Sequence, residues 1–557
     1  MTQPPATADF KPRHVSALAA AVAGILAAAV AMGAAQLAAG LTVPQGSPVL
    51  AVGQAAIDLT PRPVKDFAIS AFGTDDKNVL LGGILVVLAL FAAVIGTLGV
   101  RRLAFGLAGL AVFSGIGLAA ALTRSAATPE YAVPTLVGTA AGGYALTVLA
   151  RAALRLGSPA QPGKRAQPGE PAQPGEPAQP AQRGFSFTFL PNPAEPGPSR
   201  WPARRRFLIS SGVAAAAAAA GALAGRELIT RDDVSQARAA VRLPAPAVAA
   251  PPLPLGSDLR IPGLSSFITP DGSFYRVDTA LLLPEVDPAS WRLRIHGMVR
   301  REVSITFAEL LRRPLIENYV TLTCVSDPVD GPYVGNARWL GASLADLIRQ
   351  ARPLAGADQL LCTSVDGFTC GTPLQVVLDG RGALLAVAMN GTPLPVAHGF
   401  PARMVVPGLY GYVSATKWVT DIEVTTFAAA SAYWAQRGWS QQAPIKTESR
   451  IDVPAAGATL RPGVTPVAGV AWAQHKGIAA VEVRVDRGPW HEARLAAVPD
   501  IDTWRQWVWE WPATPGNHLL EARATNKAGY TQTPVQAQPP PNGASGYPSA
   551  AVTVSSS

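Results

Sequence analysis

Cys324 is the first residue whose setting suggests chemistry. It closes the strand-like run NYVTLTCVS and opens CVSDPVDGPYVGNARWLG, where Asp327, Pro328, Asp330, Gly331 and Pro332 follow closely. That composition places the thiol on a loop at a strand end, where sites are commonly built. A thiolate there can ligate a soft metal or act as a nucleophile; the bland alternative is a small buried hydrophobe. Cys362 and Cys370 flank Asp366-Gly367. A two-residue hairpin on that turn pairs Val365 with Phe368, so Cys362 opposes Gly371 and Cys370 opposes Thr363, with the thiols on opposite sheet faces. A disulfide between them is then disfavoured, and both are expected in the core. Three cysteines with no CxxC and no CxxCH exclude a disulfide scaffold, a four-cysteine zinc or iron–sulfur site and covalently attached haem c. Any cofactor is held differently.

A second constellation is HGFPARMVVPGLYGYVSATKWV at 398–419. His398, Arg403 and Lys417 can converge on an anionic ligand, with Gly399 and Pro401 shaping the backbone between them. A thiol hydrolase built on Cys324 and His398 is the weaker use of these groups, because neither has an evident oxyanion hole or orienting acid nearby. His475, His491 and His518 lie too far apart in sequence to form a spacing motif.

Short apolar strands and a few helices must position these residues. WRLRIHGMV at 291–299 alternates as a strand, and 306–312 and 344–351 read as short helices. LLCTSVDGFTC and LLAVAMNG carry the hairpin signals Asp366-Gly367 and Asn390-Gly391. Together they make an α+β domain of roughly two hundred residues, running to Trp439. Beyond Gln441 helical periodicity disappears, and VEVRVD, WRQWVWEW and HLLEARATN alternate apolar with polar residues, as in a β-sandwich of immunoglobulin type.

The rest of the chain is apolar. With 557 residues, 49% hydrophobic and only 15% charged, and a mean hydropathy of +0.22, it is too long for one domain and too greasy for a soluble protein. Uncharged runs at 15–41, 79–100, 103–123 and 131–150 each approach the ~20 residues that span a bilayer. Lys11 and Arg13 precede the first, Arg101 and Arg102 join the second to the third, and Arg151 and Arg155 follow the fourth, which puts both ends of this bundle in the cytoplasm. None carries an ionisable residue in its middle, so an anchor is expected rather than a haem b bundle or a proton path. The stretch 157–206, with near-repeats of AQPGE, reads as an extended linker. Arg204-Arg205-Arg206 then leads into FLISSGVAAAAAAAGALAG at 207–225. This is either a fifth transmembrane helix or an internal twin-arginine-like export signal, and both carry the chain beyond Arg226 across the membrane. The net charge of +9, from 46 Lys+Arg against 37 Asp+Glu, clusters around the apolar runs; topology explains it and nucleic-acid binding is not expected.

Three segments together carry a resemblance. FYRVDTALLLPEVDPASWRLRIHGMV, TCVSDPVDGPYVGNARWLGASLADLI and MNGTPLPVAHGFPARMVVPGLYGYVSATKWVTDIEV occur in the order and approximate spacing of the molybdopterin domain of the sulfite oxidase family, which they resemble. The sandwich behind them is similar to that family's dimerisation domain. The resemblance runs from residue 267 to the end of the sequence. It implies a molybdenum–molybdopterin cofactor, with Cys324 the thiolate on molybdenum beside the pterin dithiolene. His398 and Arg403 would hydrogen-bond the pterin and its phosphate, and Ser414 with Lys417 would close over the cofactor's other end. Arg276 would face the metal's oxo group and an oxyanion substrate; Arg338 would either reach the pocket or brace the Cys324 loop. Relatives that oxidise sulfite carry a tyrosine just before the MNG segment, where AVAMNG places Val387. That departure weakens sulfite as substrate and keeps reduction of a sulfoxide or N-oxide open.

The expectation is a multidomain, multi-pass cell-membrane protein. It has an N-terminal α-helical transmembrane bundle (1–156), a linker (157–206), a fifth helix or signal (207–225) and a tether (226–266). An extracytoplasmic α+β molybdopterin domain (267–440) and an all-β immunoglobulin-like sandwich (441–557) complete it. The reaction would be two-electron oxygen-atom transfer on a small-molecule substrate. With no haem, flavin or iron–sulfur motif, electrons would pass through a separate quinone or cytochrome. A homodimer through the C-terminal domain is expected, and a metal-free scaffold is the rival reading.

Overall fold

The computed structural model describes residues 16–43, 46–60, 64, 76–123, 127–156, 203–231, 234–280 and 283–556. They fall into two compact units, Met1–Thr230 and Arg231–Ser557. The expected linker lies, up to residue 202, outside the described residues.

The first unit is helical: α1 (Ala17–Leu41), α2 (Pro48–Leu59), α3 (Asp76–Arg101), α4 (Leu103–Leu122), α5 (Ala132–Leu156) and α6 (Ala203–Arg231). All but α2 are long and apolar enough to cross a membrane. The sequence reading missed α2 because its 12 residues fall well short of a span. Small residues bring the helices together. A Cβ placed on Gly24 of α1 would sit 2.7 Å from the Gly96 Cα of α3, and one on Gly221 of α6 would sit 2.8 Å from the Gly33 carbonyl oxygen of α1. Such contacts suit helices in lipid, where close backbone packing replaces the hydrophobic drive.

The second unit opens with α7 (Val234–Ala240). Arg238 fastens it by donating from Nε to the Leu394 carbonyl at 2.7 Å and from Nη2 to that of Pro393 at 2.6 Å. One sheet comprises β1 (Arg292–Gly297), β2 (Val303–Thr306), β5 (Gln359–Ser364), β6 (Thr369–Pro373) and β10 (Val419–Thr425), ordered β2-β1-β10-β5-β6. The other comprises β3 (Leu315–Thr323), β4 (Val334–Ser343), β7 (Leu384–Met389) and β8 (Thr392–Pro393), with β9 (Arg403–Val405) pairing β7. The expected short helices appear as α8 (Phe307–Leu311), closed by a Thr306–Glu309 capping box, and α9 (Leu344–Ala351). Two shorter helices are α10 (Leu374–Leu378) and α11 (Gly411–Ser414). The second sheet is buried on both faces. Leu340, Leu385, Val387 and Met404 pack toward the first sheet, while Val320, Leu322, Ala337, Trp339 and Val405 form a separate core with Phe274 and Phe400.

Asn390-Gly391 turns as expected, both residues at positive φ between Met389 and Thr392. The other hairpin corrects the sequence reading. Cys362 pairs directly with Cys370, so the two side chains share one sheet face instead of lying on opposite faces. The turn spans three residues, with Ser364 N–H donating to the Phe368 carbonyl. Gly367 takes φ +87, the left-handed position that such loops require. Both cysteines are buried and free, so their assignment to the core stands.

From residue 448 the described chain carries strands and loops and no helix. β11 (Glu448–Val453), β12 (Thr459–Leu460), β13 (Gly463–Trp472), β14 (Ile478–Val485), β15 (His491–Glu492), β16 (Arg494–Leu495), β17 (Arg505–Ala513), β18 (Gly516–Asn526) and β19 (Ser549–Val554) make two sheets, β11-β13-β17-β16 and β12-β19-β18-β14-β15. Val467, Trp507 and Trp511 from one share a core with Val481, Leu520 and Val552 from the other. This module grips β3. Gln474 Nε2 donates to the Thr321 carbonyl and Thr323 Oγ1, and Trp504 N–H donates to Thr321 Oγ1.

Candidate active site

Side chains alternate along β3, so Cys324, just past its end, continues the face of Val320 and Leu322. The loop beyond it is tied back on itself. Cys324 N–H donates to the Tyr333 carbonyl at 2.9 Å, and Tyr333 N–H donates to Asp327 Oδ1 at 2.8 Å. The C-terminal module braces it: Arg450 Nη1 donates to the Gly331 carbonyl and Ile451 N–H to Asp330 Oδ1. Cys324 is half-buried as a residue, with its Sγ 2.9 Å from Ser326 Oγ. Burial raises its pKa, while the Ser326 hydrogen bonds and the charge of Lys417 work against that rise.

The second constellation faces the same side. Arg403 on β9 lies with its Cζ 5.0 Å from the Trp339 ring centroid. Its guanidinium donates to the carbonyls of His398 at 3.1 Å, Ala415 at 3.4 Å and Met404 at 3.4 Å. Among the described residues no carboxylate pairs with it, and burial pulls its pKa down to about 10. His398 stacks edge-on against Phe274 at 5.5 Å, and its Nε2 is 3.1 Å from the Asp271 carbonyl, which makes Nε2 the protonated nitrogen. Burial first, then the charge of Arg403, lowers its pKa to about 4, so the ring is neutral at pH 7. Lys417 Nζ donates to Asp278 Oδ2 at 2.8 Å and lies 4.7 Å from the Trp418 ring centroid; burial lowers it to about 8. Gly399 makes this convergence feasible. At φ +107, a Cβ there would stand 3.0 Å from Arg403 Cβ and 3.1 Å from Lys417 Cα.

Arg276 joins the cluster at its open side, donating from Nε to Asp278 Oδ2 at 2.8 Å. Two expected members stand apart. Ser414 spends its hydroxyl proton within its own turn, bonding the Leu409 and Tyr410 carbonyls at 3.0 Å each. Arg338, the neighbour of Trp339 on β4, points from the opposite face and pairs with Glu317 at 3.3 Å. Val387 also packs into the core between the sheets, away from Arg403.

Sequence reasoning passed over Tyr275 and Asp278. Tyr275 stacks on Phe274 at 5.2 Å and brings its hydroxyl beside Gly411, in the field of Cys324, Arg403 and Asp327. Burial holds the phenol protonated, so it is a hydrogen-bond donor. The signal was present in FYRVD, where only the arginine was taken up.

Behind the Cys324 loop, burial raises Asp327 to about 7, Asp330 to about 6 and Glu448 of β11 to about 8. Among the described residues Asp327 Oδ2 and Glu448 Oε1 have no hydrogen-bond partner. The folded-state value for Glu448 exceeds its ordinary 4.5, so the folded chain binds more protons between those limits. Its favourable state is complete below 4.5 and is lost as pH rises through about 8. His398 works in the opposite sense below 6.5, and Asp327 and Lys417, at about 7 and about 8, titrate in the window from 6.5 to 8, so Glu448 is read there as the difference between variant and wild type. Glu448→Gln should therefore gain stability over wild type across that window, on the order of a few kcal/mol. Thermal melts at its two ends check this, and parallel curves would refute it.

Comparison with known proteins bears on this geometry. The oxidoreductase molybdopterin binding domain family matches residues 280–434. Sulfite oxidase of Gallus gallus is 32% identical over 290 residues, covering 44% of this chain and 62% of that protein. The uncharacterized oxidoreductase YuiH of Bacillus subtilis is 30% identical over 153 residues, 28% of this chain and 74% of that one. The chain belongs to the sulfite oxidase family of molybdopterin oxidoreductases. It spans about three fifths of the length of the Gallus gallus relative. The sulfane dehydrogenase SoxCD from Paracoccus pantotrophus aligns with 48% of this chain and 74% of that chain at 24% identity and TM-score 0.43.

The family's cofactor is molybdenum–molybdopterin, and the residues present fit it. Arg403 and Lys417 are buried cations; among the described residues the one carboxylate partnering them is Asp278, on Lys417, while Arg403 has only carbonyls. That surplus positive charge suits a phosphate-bearing ligand. The Cys324 thiol, on a half-buried residue, supplies the soft donor a molybdenum end needs.

Proposed function

We propose that this protein is a membrane-anchored oxidoreductase catalysing two-electron oxygen-atom transfer on a small oxyanion or on an S- or N-oxide. The observation that carries the reading is the Cys324 thiol on the same sheet face as Arg403 and His398, with Lys417 close enough to act on the thiol's charge. When bound, the cofactor would supply a metal centre that exchanges one oxygen atom and two electrons with the substrate. In the oxidative direction the substrate gains an oxygen from water, and two protons and two electrons leave; the reductive direction consumes them and releases water. A quinone or a cytochrome would exchange the electrons.

In this reading Cys324 ligates the metal, and Arg403, His398 and Lys417 hold the pterin and its phosphate. Ser414 shapes the turn that presents Lys417. Arg276 and the Tyr275 hydroxyl face the reacting oxygen, and Arg338 braces the sheet from behind. The arginines flanking the apolar helices support a catalytic region outside the cytoplasm. The two-sheet module is read as an immunoglobulin-like domain through which two copies associate. Elemental molybdenum and released pterin fluorescence on the detergent-purified full chain test the reading. Both should be present in near-equal amounts. A folded protein that holds neither, from cells making the cofactor, would point to a scaffold.

A further inference from the structure

Of the cations in this cluster Arg276 is the most open. Its side chain is 41% exposed against 11% for Lys417, so an incoming substrate meets it first. Its charge is already engaged. Asp278, with only 4% of its side chain exposed, accepts on the same Oδ2 from Arg276 Nε and from Lys417 Nζ, each at 2.8 Å. Arg276 Nη2 lies 3.5 Å from Oδ1. Held from two sides, the carboxylate cannot turn away without leaving two cations uncompensated.

We infer that Asp278 tempers the charge selectivity of the substrate face, weakening a dianionic oxyanion relative to an uncharged S-oxide or N-oxide. The inference rests on the molybdenum–molybdopterin reading of the site. A dianion approaching Arg276 meets a fixed negative charge two residues along, and like charges so placed act against binding. An uncharged oxide needs only donors for its oxygen. Arg276 Nη1 and the Tyr275 hydroxyl form no hydrogen bond with the described residues and can serve as those donors.

The test titrates sulfate and dimethyl sulfoxide separately into the molybdenum-loaded full chain by calorimetry at constant ionic strength. Molybdenum and pterin content are measured on each sample. Asp278→Asn should bind sulfate roughly tenfold more tightly than wild type, the scale of one nearby charge at intermediate dielectric, with dimethyl sulfoxide affinity within about twofold. Arg276→Gln added to that variant should abolish the gain. Equal sulfate affinity at matched cofactor content would overturn the inference and leave the site reading intact. If Asp278→Asn loses cofactor, Arg276→Gln in the native chain decides. Sulfate affinity within about twofold of wild type supports a guanidinium already tied up, and a tenfold loss overturns it. Wild type that contains neither molybdenum nor pterin would bring down the site reading, and the inference with it.

Discussion

Cys324→Ser is expected to cripple turnover at the metal end of the site while leaving the fold in place. The substitution is close to isosteric, and the loop that presents the residue is held by backbone bonds to Tyr333 and by Asp327, none of which involves sulfur. A serine hydroxyl is a hard, weakly acidic donor and a poor match for a metal that the soft thiolate suits. Disturbing merely the partners of metal ligands costs about 10–100-fold, so loss of the ligand itself should lower turnover by at least roughly a hundredfold. Pterin should be largely retained, because Arg403, His398 and Lys417 are untouched. Elemental analysis, pterin fluorescence and circular dichroism on the same sample separate these effects. A variant with full molybdenum and undiminished turnover would remove Cys324 from the site.

Arg403→Met should move two quantities in opposite directions. In the cofactor-free protein the guanidinium is buried against carbonyls and the Trp339 ring, with no carboxylate partner among the described residues. Burying a charge so weakly compensated is costly, and a well-packed apolar side chain of similar length can stabilise by about 1–4 kcal/mol. The cofactor-free variant should therefore melt higher. Its hold on the pterin should weaken by roughly ten- to a hundredfold, the equivalent of one charge-assisted hydrogen bond. A merely structural arginine would lower both, and that outcome would sink the assignment. Thermal melts of cofactor-free protein and pterin release from loaded protein give the two numbers.

Most elements were legible because their signals are local. The strand at 291–299, the helices at 306–312 and 344–351 and the Asn390-Gly391 turn all appear where periodicity and turn chemistry put them. The hairpin at Asp366-Gly367 was misaligned because register depends on which residues take positive φ. One extra loop residue moved Cys362 from Gly371 to Cys370. Helix α2 was missed because a short apolar helix lacks the length that marks a span.

The sequence by itself determined the apolar helices, the change to strands near residue 441 and the residue types of the site, since composition, periodicity and motif are properties of the chain. Only the tertiary structure decided which of those residues meet. Alternation along β4 turned Trp339 toward Arg403 and Arg338 away from it toward Glu317. The turn at Gly411–Ser414 consumed the Ser414 hydroxyl. Asp278, inconspicuous in FYRVD, became the carboxylate shared by Arg276 and Lys417, 139 residues away in sequence. Burial and through-space charge set what these groups can do, and neither is written in local spacing.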